Sequence, residues 1–164
     1  MAAPVLVIDD SASVRQLTRM MLERAGYSVI EATDGEDAYE KLDGRPLGMI
    51  LCDLAMPRMD GLSFLRLLRH HPRYRSTPLV VLSTETRLEQ RTAARVAGAQ
   101  AFIPKPVRPT DLVDTVQRLC LEAGASISHH HGVGAWRGSW LRTELGSGFE
   151  LLQVTQADEQ FLFV

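Results

Sequence analysis

Short apolar runs that stop abruptly at a carboxylate or a hydroxyl restrict this chain's fold more than any other feature. Val5-Leu6-Val7-Ile8 stops at Asp9-Asp10. Met49-Ile50-Leu51-Cys52 stops at Asp53, between Gly48 and Pro57. Pro78-Leu79-Val80-Val81-Leu82 stops at Ser83-Thr84. Continuous apolar residues without polar alternation predict strands buried on both faces, as in a parallel sheet. In open α/β sheets, ligands bind outside the carboxyl ends of the strands. Each run therefore delivers its terminal polar residue to the edge where chemistry takes place. An acid placed there needs partners, because burying it alone is costly.

Helical patterns separate the runs. Val14, Leu17, Met20, Met21, Leu22 and Ala25 recur at helical spacing, with Ser11 or Asp10 to cap the start and Gly26 to end it. Tyr27 to Ala32 alternates and predicts a more exposed strand, and Asp34-Gly35 turns the chain. A short helix over Glu36–Leu42 follows, broken by Gly44-Arg45-Pro46. Gly61–His70 predicts a third helix, with Leu62, Leu65 and Leu68 inward. Arg87–Ala97 predicts a fourth, whose thin apolar side is mostly Ala93, Ala94, Val96 and Ala97. After the brief strand Ala101–Ile103, Pro109–Leu121 predicts a last helix, with Leu112, Val113, Val116, Leu119 and Cys120 inward. Five alternations of strand and helix predict an α/β fold, a five-stranded parallel sheet with helices on both faces. Right-handed crossovers favour the flavodoxin-like order, with the first and third strands adjacent at the switch point. Asp9, Asp10 and Asp53 then converge.

The chain has 164 residues, enough for one domain and an appendage, and 45% are hydrophobic. With 23% charged residues and a net charge of −2, it has no general pull toward nucleic acid or anionic membranes. Cys52 and Cys120 fall in apolar segments and read as buried small hydrophobes. No apolar stretch approaches the ~20 residues of a membrane span, and the N-terminus enters a strand without a basic leader. The expectation is a cytoplasmic protein.

Three carboxylates in one crevice repel unless one is protonated or a hard cation joins them. Mg²⁺ suits such a set. Asp10 and Asp53 could ligate directly, the backbone carbonyl of Ala55 could contribute, and Asp9 could act through water. A carboxylate beside such a metal can attack phosphorus and form an acyl phosphate. Lys105 supplies a charge and Ser83 a hydroxyl for the phosphoryl oxygens, each at the end of a strand.

These residues resemble a response-regulator receiver domain of the two-component type, similar to the single-domain chemotaxis regulators. The resemblance covers about residues 2–124. It rests on Asp9-Asp10, on Leu51-Cys52-Asp53-Leu54 with Met56-Pro57-Arg58-Met59-Asp60-Gly61, on Val81-Leu82-Ser83, and on Phe102-Ile103-Pro104-Lys105-Pro106. It implies that Asp53 is the phosphoacceptor, served by a histidine kinase, a phosphotransfer protein or a small phosphodonor with Mg²⁺. It implies that Ser83 moves toward the phosphoryl oxygen and that Phe102 is the switch aromatic. The face of the fourth helix, fifth strand and fifth helix then changes its affinity for a target. A cis Lys105-Pro106 bond is also implied.

The chain departs from the usual pattern at several positions. Phe102 replaces a tyrosine and Ser83 the commoner threonine. Ala55 and Glu85 occupy the positions two residues past Asp53 and Ser83, which influence how fast water attacks the phosphoryl group. Aspartyl-phosphate hydrolases generally place a second acid where Ala55 stands, which argues against a turnover enzyme.

Residues 125–134 read as a linker containing His129-His130-His131, and 135–164 as a β-rich extension with a hairpin around Gly146-Ser147-Gly148. Five of the ten aromatics lie in that extension: Trp136, Trp140, Phe149, Phe161 and Phe163. About 30 residues cannot easily hold their own core, so the extension is expected to pack on the receiver, a second copy or a partner. It is too small and too weakly basic for a usual DNA-binding output domain. A homodimer could form through it or through the fourth helix–fifth strand–fifth helix face. The alternative function is a phosphorylation-independent adaptor working through the extension. The cluster Arg66, Arg69, His70, His71, Arg73 and Arg75 reads as a solvated helix face and loop.

Overall fold

The structure is a computed structural model that describes residues 3–123. The sequence-based readings for 125–164, the linker and the β-rich extension with its hairpin, lie outside the described residues.

Five strands, β1 (Val5–Ile8), β2 (Val29–Ala32), β3 (Met49–Asp53), β4 (Leu79–Ser83) and β5 (Ala101–Pro104), alternate with five helices. The helices are α1 (Ala12–Arg24), α2 (Gly35–Glu40), α3 (Gly61–His70), α4 (Leu88–Val96) and α5 (Pro109–Glu122). All strand pairs are parallel and the order is β2-β1-β3-β4-β5, as the flavodoxin-like reading predicts.

The apolar runs are continuous because both faces of the sheet are covered. Odd and even residues serve different cores. Leu6, Ile8, Ile50, Cys52, Val81 and Phe102 pack with α2, α3 and α4. Val5, Val7, Met49, Leu51, Val80, Leu82 and Ile103 pack with α1 and α5. β2 lies at the sheet's edge and is only partly buried over Val29–Glu31, which accounts for its alternating sequence. Tyr27 and Ser28 fall outside the strand, although Tyr27 is buried in the second core.

The helices start and stop for local reasons. The Ser11 side chain caps α1 by accepting from Val14 N, while Asp34 and Asp60 cap α2 and α3 by accepting from Asp37 N and Ser63 N. Pro109 occupies the first turn of α5.

Three helix faces differ from the sequence reading. On α1, Leu17 and Met20 point outward, and Thr18 and Leu22 are the buried pair. Val113 of α5 is only half-buried, whereas Thr115 and Gln117 are buried. On α4, Ala94 and Ala97 face the sheet, but Val96 is 83% exposed. Ala94 and Ala97 let α4 approach closely, so its seating uses methyl groups rather than its larger side chains.

The Arg and His cluster is partly structural. Arg69 is not merely solvated: it donates to the carbonyls of Arg75 (2.6 Å), Thr77 (3.1 Å) and Gly98 (2.6 Å). Arg73 donates to the carbonyl of Gly44 at 3.1 Å.

Candidate functional site

Register builds the site. Ile8 pairs with Cys52 across β1 and β3, so the next residues, Asp9 and Asp53, stand together at the carboxyl edge. Ser83 is in register with Pro104, which places Lys105 one step beyond it. The amide of Lys105 donates to the carbonyl of Ser83 at 2.9 Å. The Lys105-Pro106 bond is cis, as the resemblance implies.

Three carboxylates and one ammonium share the edge. Lys105 Nζ lies 2.5 Å from Asp9 Oδ2 and 3.3 Å from Asp53 Oδ2. The other oxygen of Asp9 accepts from Ser11 N at 2.9 Å, and that of Asp53 from Ala55 N at 3.3 Å. Asp9 and Asp53 are only 2% and 6% exposed, while Asp10 is open to solvent. One oxygen from each of Asp9, Asp10 and Asp53 lies within 4.8 Å of the others. This all-oxygen donor set, with an exposed member for entry, fits a hard divalent cation that keeps several waters.

The electrostatics follow from burial and crowding. Burial pushes the Asp53 carboxyl above its ordinary range, Asp9 adds to the rise, and Lys105 opposes it. Burial alone would lower the Lys105 ammonium, but the Asp9 hydrogen bond and the charge of Asp53 raise it, so it stays charged. Burial keeps the Cys52 thiol protonated, and it donates to the carbonyl of Asp53 at 3.2 Å. Cys52 is therefore inert packing beside the site.

The remaining predicted residues surround this group. Ser83 is buried, and its hydroxyl accepts from Glu85 N at 3.1 Å. Glu85 pairs with Arg87 at 2.9 Å, and that hydrogen bond holds its carboxyl below the usual carboxylate range. Ala55 is exposed on the loop after β3. Phe102 is 1% exposed and packs in the core under α4, with the Arg91 guanidinium 5.4 Å over its ring.

Sequence reasoning missed the supports of the loop from Leu54 to Asp60. Arg58, at a positive φ of 62°, pairs with Asp34 and lies 3.4 Å from Glu36. Gly35 N donates to the carbonyl of Met59 at 3.2 Å, and Gly61 N to that of Leu54 at 3.0 Å. Arg15 grips the backbone carbonyl of Asp9 at 2.7 Å. No local signal marks the Arg58 pair, because 24 residues separate its members.

A doubly wound sheet of this order, carrying acids, a lysine and a hydroxyl at its carboxyl edge, defines a CheY-like α/β signalling module. The chain belongs to the response regulator receiver domain family, whose profile matches residues 5–117. Protein PilG of Pseudomonas aeruginosa is 32% identical over 113 residues, covering 69% of this chain and 84% of PilG. The transcriptional regulatory protein SrrA of Staphylococcus aureus is 34% identical over 119 residues, which are 73% of this chain and 48% of SrrA. The solved structure of chemotaxis protein CheY4 from Vibrio cholerae superimposes with a TM-score of 0.69 at 37% identity, covering 72% of this chain and 98% of that one. A second profile, the C-terminal domain of FAD linked oxidases, matches residues 104–156. That span is less than half of the chain and includes all of α5, which is integral to the receiver's second core. Among the described residues no helix is long and apolar enough to cross a membrane.

Proposed function

We propose that this receiver accepts a phosphoryl group on Asp53 from a histidine kinase or phosphotransfer protein in the cytoplasm, and signals by phosphorylation-dependent protein contact rather than by binding DNA. The observation that carries this reading is the Lys105 ammonium held against both Asp9 and Asp53, with the Asp10 carboxylate beside them.

In the transfer, a carboxylate oxygen of Asp53 attacks phosphorus. The P–N bond of a phosphohistidine breaks, and the imidazole leaves with the bonding pair and takes up a proton. Asp10 and Asp53 would hold Mg²⁺ directly, with the Ala55 carbonyl, and Asp9 through water. When bound, the ion neutralises charge that gathers on the phosphoryl oxygens. Lys105 gives one oxygen a charged donor, and Ser83 rotates its hydroxyl toward another. Occupancy of that hydroxyl would favour the inward setting that Phe102 already holds here at 1% exposure, so phosphate would bias an existing equilibrium. Ala55 and Glu85, the residues flanking the pocket, modulate hydrolysis.

The test is incorporation of phosphate from acetyl phosphate with Mg²⁺ into the wild type and Asp53→Asn. Labelling of the wild type alone supports the assignment. Equal labelling of both defeats it. Partner binding that persists unchanged in Asp53→Asn would favour the adaptor role of the extension.

A further inference from the structure

α4 presents its largest apolar side chains to solvent. Leu88 is 78% exposed and Val96 83%. With Thr92 midway they form a stripe at i, i+4 and i+8. This stripe is one wall of an open groove of about 700 Å³, lined by Leu88, Glu89, Thr92, Ala93, Val96 and Ala97 of α4 and faced by Arg66 of α3. A concave apolar strip with the Arg66 cation on its far wall, and the Glu89 carboxylate on the α4 side, marks a contact surface. The exposed Leu17 and Met20 of α1 differ, because Arg19 stands between them, paired with Glu23 and Glu31.

The chain itself contains a matching sequence. Asp158-Glu159-Gln160-Phe161-Leu162-Phe163 joins two acids to three apolar residues. The acids complement Arg66, and the apolar residues complement Leu88, Ala93 and Val96. Topology brings the start of the extension that carries this segment to the groove's end of the sheet. α4 and α5 both run from the carboxyl edge of the sheet back to its amino edge and flank β5. The end of α5 and Val96 therefore lie at the same edge. The 34 residues 124–157 that precede it span roughly 110 Å when fully extended, more than enough to reach the groove. A tether of this kind gives an effective concentration in the millimolar range, on the order of a thousandfold above a second copy at micromolar concentration.

We propose that residues 158–163 dock into the α3–α4 groove of their own chain. The docked segment covers α4 from Val96 at the amino edge toward Leu88, the first residue of α4, five residues beyond Ser83. The proposal does not rest on phosphoryl transfer and holds for the unphosphorylated protein.

Oxidation of the full chain carrying Val96→Cys and Phe161→Cys tests it, since Cys52 and Cys120 are buried and remain out of reach. All the groove positions altered are solvent-facing or half-buried, so folding is preserved. The expected result is a disulfide within one chain, formed in the same yield across a dilution series. The bond is lost when Leu88→Asp and Ala93→Asp are added. A disulfide between chains, with yield rising with concentration, would overturn the proposal in favour of a second copy. No disulfide, or an equal yield with Leu17→Cys in place of Val96→Cys, would also overturn it.

Discussion

Asp53 illustrates how a single side chain can weaken the fold while equipping it. Its carboxyl is raised in the folded state, chiefly by burial and further by Asp9. The sign follows from proton linkage. At pH values between the unfolded and folded constants, the folded state binds more protons, so stability falls as pH rises through that window. At neutral pH the cost of the ionised group is fully present. Asp53→Asn is therefore expected to be more stable than the wild type at pH 7, with the difference closing below about pH 3.9, where both states are protonated. Urea denaturation of the two proteins at both pH values checks this. Tyr74 has the opposite character. Its buried hydroxyl accepts from Gly44 N at 2.8 Å and donates to the Arg45 carbonyl at 2.7 Å. Tyr74→Phe strands both backbone groups and should cost about 1–3 kcal/mol, measured by the same denaturation.

At the scale of elements, the strands were legible because both faces of the sheet are covered, so each central strand is an apolar run closed by a candidate site residue. Asp9, Asp53, Ser83 and Lys105 could be placed at one edge from strand order alone. The orientation of α4 was not legible. Its alanines seat the helix and its valine does not, a choice that depends on how close the sheet lies. The loop supports were hidden for another reason: Arg58 and Asp34 belong to different turns, and only the packed α2 and β3–α3 loop bring them together. Gly61 shows how tight that junction is. A Cβ there would lie 2.2 Å from the Asp53 carbonyl and 2.7 Å from Leu54 Cα, both backbone atoms that cannot swing aside. Gly61→Ala should destabilise the domain by about 1–3 kcal/mol, seen as a fall of several degrees in Tm, and should slow labelling from acetyl phosphate by displacing Asp53.

For the whole molecule, the stability curve should depend on divalent cation supply. A ligand that binds only the folded state stabilises it by mass action, about 2.7 kcal/mol at a hundred times its Kd. Mg²⁺ should therefore raise Tm, EDTA should reverse the rise, and Asp10→Ala should abolish it. Calorimetry of the wild type and Asp10→Ala with and without the ion checks this. A wild type whose Tm is indifferent to Mg²⁺ would contradict the ligand assignment.

Lys105 divides one ammonium between two carboxylates, at 2.5 Å from Asp9 and 3.3 Å from Asp53. Anything that draws it toward Asp53 slackens its hold on Asp9. Asp9 also receives Ser11 N, and its carbonyl is gripped by Arg15, so the same residue anchors the first turn of α1. On the proposed reading, a phosphoryl group at Asp53 would therefore be felt at α1 too, on the opposite face of the sheet from Phe102.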